Sequence, residues 1–72
     1  MTDSIQEAEL GNPAYDGILL RNLNFLGDVL IMRIFRGESF LVPHGNTELK
    51  LGDRLLISGE AEAIEAVKQE LE

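Results

Sequence analysis

Apolar residues recur along this chain at two spacings, and the change from one to the other outlines its elements. Near the C-terminus Ala61, Ala63, Ile64, Ala66, Val67 and Leu71 fall three and four apart, which predicts an amphipathic helix over 60–71. Glu60 and Glu62 stand at its start, where the helix dipole favours negative charge. From Val29 to Arg36 the pattern predicts a strand instead. Val29, Ile31, Arg33 and Phe35 fall on one face, Leu30, Met32, Ile34 and Arg36 on the other. A strand apolar on both faces must be covered on both. In a chain with only two short helices, a second copy of the sheet is the natural cover for the far face.

Arg36-Gly37-Glu38-Ser39 reads as a tight reversal with Gly37 at positive φ. Phe40-Leu41-Val42 is then the returning strand, which Pro43 ends or places at an edge. Leu49 and Leu51 alternate around Lys50, Gly52-Asp53 is a turn, and Arg54 to Ser58 is the last strand, closed by Gly59. At the N-terminal end Ile5 to Leu10 alternates as a short strand, with Ile5, Glu7 and Glu9 opposite Gln6, Ala8 and Leu10. Gly11-Asn12-Pro13 breaks it. Asp16 is placed to cap a short helix over 17–23, with Ile18, Leu19, Leu20 and Leu23 inward, stopping before Asn24. The order is strand, short helix, three antiparallel strands, helix. That is a small two-layer α+β domain, mainly antiparallel sheet.

Length and charge narrow the function. Seventy-two residues make one domain with a marginal core, and no cysteine is present to brace it. Association with another copy or another domain is the remaining source of stability. Thirteen acidic against six basic residues give a net charge of −7, which disfavours nucleic acid and anionic membrane surfaces. No apolar run reaches the roughly 20 residues needed to span a bilayer. The start Met-Thr-Asp-Ser lacks the basic and apolar regions of a signal peptide, so a cytoplasmic location with no direct membrane insertion is expected.

From Gly17 onward the chain resembles the TrkA-C, or RCK-C (regulator of K+ conductance), family. The likeness is carried by Gly17-Ile18-Leu19-Leu20-Arg21-Asn22-Leu23, Asp28-Val29-Leu30-Ile31, Ile34-Phe35-Arg36-Gly37 and Phe40-Leu41-Val42-Pro43. It continues through Asn46-Thr47-Glu48-Leu49-Lys50-Leu51-Gly52-Asp53-Arg54-Leu55-Leu56-Ile57-Ser58-Gly59. The resemblance divides the chain into a leading segment with the first strand, 1–10, and a TrkA-C-like regulatory domain, 11–72. It implies a dimerising, non-enzymatic, cytoplasmic domain serving a K+ channel, K+ uptake system or cation:proton antiporter. Its partners are then a second copy and a membrane-embedded transport domain of the same chain or complex. No cofactor is implied, but some members bind cyclic di-AMP at the dimer interface. Carried over residue by residue, Leu30 and Ile31 match that site's aliphatic pair and Arg36 its arginine. Val42 stands where the family has Asn, and Ile34 where an acidic residue or Thr is usual. His44, just past Pro43, is a candidate replacement donor.

The candidate ligand residues are therefore Leu30, Ile31, Arg36, Val42, Pro43 and His44. Arg36 can hold a phosphate bidentately while purine rings lie on aliphatic side chains, or it is a hairpin-end residue in solvent. Arg33 offers the same chemistry, or pairs with a carboxylate across a dimer interface. His44 is the single histidine, a ligand donor or pH sensor, or an ordinary exposed turn residue. The acidic residues lack metal-loop spacing, no phosphate-loop glycine pattern occurs, and the hydroxyl residues have no His–acid partner, so neither a metal nor a catalytic site is expected. A purely structural dimerisation domain without ligand is the alternative reading.

Overall fold

The computed structural model describes residues 3–23, 27 and 29–72. Four strands, β1 (Asp3–Glu9), β2 (Leu30–Arg36), β3 (Ser39–Leu41) and β4 (Arg54–Glu60), form one antiparallel sheet in the order β1-β4-β2-β3. The helix α1 (Ala61–Leu71) follows β4 directly and packs back on β1 and β4. Its buried residues Ile64, Val67 and Leu71 meet Ala8, Ile31, Ile34, Leu55 and Ile57 from the sheet, with Leu10, Leu20, Leu23 and Leu49 closing the core. Ala61 and Ala66, expected on the inward stripe, are exposed. The two-layer α+β architecture is as expected, and the helix covers one sheet face.

The strand β2 departs from simple alternation. Ile31 opposes Ile57 but Arg33 opposes Leu56, so two steps on β2 match one on β4. Met32 is the extra residue of a β-bulge, and it reverses the phase of the strand. Ile31 and Ile34 both point into the core, while Met32 and Arg33 lie consecutively on the exposed side. The regular phase expected from the sequence holds only up to the bulge. At the hairpin Gly37 takes φ +61° and Arg36 opposes Ser39, as its two-residue loop requires.

The helix expected over 17–23 is replaced by one 3-10 turn, Leu20–Asn22, and a second, Pro13–Tyr15, precedes that span. Gly17 sits at φ +83°, which an α-helix does not contain. The amides expected to bond along the helix bond sideways instead. Gly17 donates to the Leu49 carbonyl, Leu20 to Thr47 and Arg21 to Gly45, while Leu49 donates back to Ile18. Asn12 caps the first turn by accepting from the Ala14 amide at 3.0 Å, and Asp16 accepts from the Leu51 amide at 3.0 Å. Asn24, the expected helix end, and Asp28 lie outside the described residues.

The C-terminal carbonyls of α1 are covered by the segment after β1. Gly11 and Asn12 donate their amides to the Leu71 carbonyl, each at 2.9 Å, and the Asn12 side chain donates to the Glu70 carbonyl at 3.0 Å. Tyr15 donates its hydroxyl to the Glu70 carboxylate at 3.1 Å. Partial burial, then that bond and the nearby negative charge, raise the phenol above its ordinary value of 10.0.

Candidate functional site

The sheet face turned away from α1 bears Ile5 on β1, Leu56 and Arg54 on β4, Leu30, Met32, Arg33 and Phe35 on β2, and Phe40 on β3. Strand pairing sets these in rows. Ile5, Ser58 and Leu30 share one, Glu7, Leu56 and Arg33 the next, and Glu9, Arg54, Phe35 and Phe40 the third. Leu30 is 65% exposed, Ile5 60% and Phe40 53%, so nothing among the described residues covers this face. Large apolar side chains gathered on one open face mark an interaction surface rather than scattered exposure.

Two arginines on this surface stand over aromatic rings. The Arg33 guanidinium carbon sits 4.9 Å from the centre of the Phe40 ring, and that of Arg54 sits 5.5 Å from Phe35. Both separations are within the range of a cation–π contact. Arg54 also approaches Glu7 at 3.6 Å, whereas Arg33 has no carboxylate within 4.0 Å among the described residues.

Arg36 occupies a different environment at the opposite end of β2 from Leu30. Its Nε donates to Asp53 Oδ1 at 2.9 Å, and a terminal nitrogen donates to Asp53 Oδ2 at 2.7 Å and to the Glu48 carbonyl at 2.9 Å. Asp53 is 1% exposed and also accepts from the Lys50 amide at 2.9 Å. The bidentate bond to Asp53 raises the already high guanidinium pKa, burial opposes that shift, and the negative charges of Asp53 and Glu48 add to it. Arg36 is therefore a clasp joining β2 to the 48–53 turns, neither a free hairpin-end side chain nor an unengaged phosphate ligand.

The six candidate ligand residues do not converge within one chain. Leu30 and Arg36 are about 20 Å apart along the strand. Ile31 is buried on the inner face. Val42 lies one residue past the end of β3 and is exposed. Pro43 is half-buried and His44 exposed. The His44 Nδ1 accepts from the Asn46 amide at 3.2 Å, which leaves Nε2 to carry the ring proton into solvent. The Thr47 hydroxyl accepts from the His44 amide at 3.0 Å and fixes the turn. Among the described residues no cluster of three His, Cys, Asp or Glu side chains is arranged to hold a metal.

Sequence reasoning missed Asp53 as the partner of Arg36. Its signal was the Gly52-Asp53 turn, since a turn aspartate commonly folds onto nearby amides. It also missed the two arginine–aromatic pairs. The hairpin register alone places Phe40 opposite Phe35 and so points to an aromatic end on this face.

Fold and site together define a small α+β domain with one sheet face packed by the helix and the other left open by the described residues. The chain belongs to the TrkA-C domain family, whose model matches residues 5–72. It is 45% identical over 69 residues to the Bacillus subtilis (strain 168) protein "Putative Na(+)/H(+) antiporter YjbQ", covering 96% of this chain and 11% of that protein. It is 36% identical over 58 residues to a "Putative transport protein" of Aeromonas salmonicida (strain A449), covering 78% of this chain and 10% of that one. The chain thus spans about a tenth of the length of these relatives. A solved RCK domain "with cda" superposes with a TM-score of 0.91 at 45% identity, covering 96% of this chain and 99% of the other. The RCK C domain of the potassium transport protein KtrA, in complex with cyclic di-AMP, superposes with a TM-score of 0.82 at 24% identity, over 94% and 82%. That last likeness is one of fold.

Proposed function

We propose that this chain is a cytoplasmic, non-enzymatic regulatory domain of a cation transport protein, and that two copies pair through the open sheet face. The carrying observation is that face itself, whose exposed Leu30, Ile5 and Phe40 surround two arginines supported by aromatic rings. The kinship with a protein of which this chain spans 11%, named as a putative Na(+)/H(+) antiporter, agrees with a domain acting on a membrane part elsewhere in the same assembly. Cyclic di-AMP is the candidate ligand, because its two adenines and two phosphates suit an apolar surface dotted with cationic and donor groups. Leu30, Val42, Pro43 and the His44 Nε2–H are the accessible contacts. Ile31 faces the core and anchors the strand that carries Leu30, and Arg36 reaches a ligand only through the nitrogen that Asp53 and Glu48 leave free. A ligand that binds two geometries of the pair unequally transmits its presence to the transport domain, with a coupling of about 1–3 kcal/mol.

Titration calorimetry of the 72-residue chain with cyclic di-AMP tests this. The expected result is saturable binding of one ligand per two chains, weakened by Val42→Asp and by His44→Ala. A folded, paired chain that releases no heat with the ligand removes cyclic di-AMP and favours the purely structural dimerisation reading.

A further inference from the structure

The open face carries its charges unevenly. Asp3, Glu7 and Glu9 alternate down β1 at one edge, and Arg33 leans over Phe40 at the other. Two like sheets that meet face to face with their strands aligned are related by a two-fold axis lying between them, directed either across the strands or along them. An axis across the strands sets each strand over its own copy. It would bring Asp3, Glu7 and Glu9 against the same three carboxylates, in a chain already at −7. An axis along the strands reverses the strand order, setting β1 over β3 of the second copy and β4 over β2. Residues at one height along the strands then stay opposite each other, apart from the roughly 30° crossing of twisted sheets.

Phe40 shares its row with Phe35, Arg54 and Glu9. In the second arrangement the Arg33 guanidinium, held over Phe40, faces Glu9 of the second copy. We infer that the open face is self-complementary about an axis along its strands, with Arg33 of each copy paired to Glu9 of the other. This rests on the pairing proposed above and adds its orientation and its charge partners. Arg33 has no carboxylate within 4.0 Å of its own among the described residues, while Arg54, which the register sets opposite Glu9, already reaches diagonally to Glu7 at 3.6 Å. The bulge at Met32 has a role here, because it is what turns Arg33 outward.

Sedimentation equilibrium of the 72-residue chain tests the arrangement through a charge swap. Arg33→Glu and Glu9→Arg should each raise the dimer dissociation constant on the order of tenfold or more. The doubly swapped chain should return to within about threefold of the parent. Both residues are exposed, so circular dichroism should show every variant folded. Failure of the double variant to recover overturns the inference, as do single variants that pair like the parent. A tighter dimer for Glu9→Arg alone would point to the axis across the strands. Loss of cyclic di-AMP binding by Arg33→Glu with pairing intact would make Arg33 a ligand residue and equally overturn it. A parent chain that stays monomeric at every concentration would sink the pairing reading itself, and this arrangement with it.

Discussion

Asp53 is the charged side chain that the fold takes out of water among the described residues, and its three accepted hydrogen bonds are what permit that. Its partner Arg36 is a third exposed on its side chain, so the two ends of the pair are not equivalent. Removing the arginine leaves a carboxylate at 1% exposure with one amide for company. Removing the aspartate leaves a guanidinium that can turn toward solvent along its aliphatic stem. Arg36→Ala is therefore expected to destabilise by about 3–5 kcal/mol, and Asp53→Ala by about 1–3 kcal/mol. Arg54→Ala, which opens a half-exposed pair at 3.6 Å, should stay within about 0.5 kcal/mol. Urea unfolding of the three variants gives the ranking directly. An Asp53→Ala chain less stable than Arg36→Ala would mean that the turn geometry, not the buried charge, governs this corner.

At the scale of elements the bulge in β2 makes the sharpest expectation. Without Met32, Ile31 would still oppose Ile57, Arg33 Leu56 and Ile34 Leu55, now in unbroken alternation. Deleting Met32 should thus leave stability within about 1 kcal/mol of the parent while removing a side chain from the open face and weakening self-association. Thermal unfolding and sedimentation measured side by side separate the two effects, and a chain that no longer folds would refute the regular-ladder account. The bulge also explains what the sequence could and could not reveal. Both phases of 29–36 are apolar, so period-two counting has no means of detecting an extra residue that exchanges them. The C-terminal helix, by contrast, was legible because Ile64, Val67 and Leu71 admit one inward face. The 17–23 segment has helix-like leucines, but its backbone partners are Gly45, Thr47 and Leu49, which no local pattern names. For the same reason Arg36 was recognisable as a special residue while its partner seventeen positions away was not.

For the whole molecule the pairing proposed above has to bring two chains of −7 together. Face-to-face pairing puts their centres on the order of the molecule's shortest extent, 20 Å, apart. Point charges of that size repel by about 10 kcal/mol in water without salt. A Debye length near 30 Å, at about 0.01 M salt, leaves roughly 5 kcal/mol, and one near 8 Å, at about 0.15 M, leaves less than about 1 kcal/mol. The Arg33–Glu9 contacts inferred above would act oppositely. They lie at a seam where salt screens little, and each contributes at most about 1–2 kcal/mol. Long-range repulsion therefore dominates the salt response, and dimer affinity should rise steeply from about 0.01 to 0.15 M salt and then level off. Pairing held mainly by exposed ion pairs would weaken across the same range. Sedimentation equilibrium at four or five salt concentrations distinguishes the two. Cyclic di-AMP adds two negative charges of its own, so the salt dependence of its binding should run in the same direction, because a −7 protein repels an anionic ligand before any local arginine can attract it.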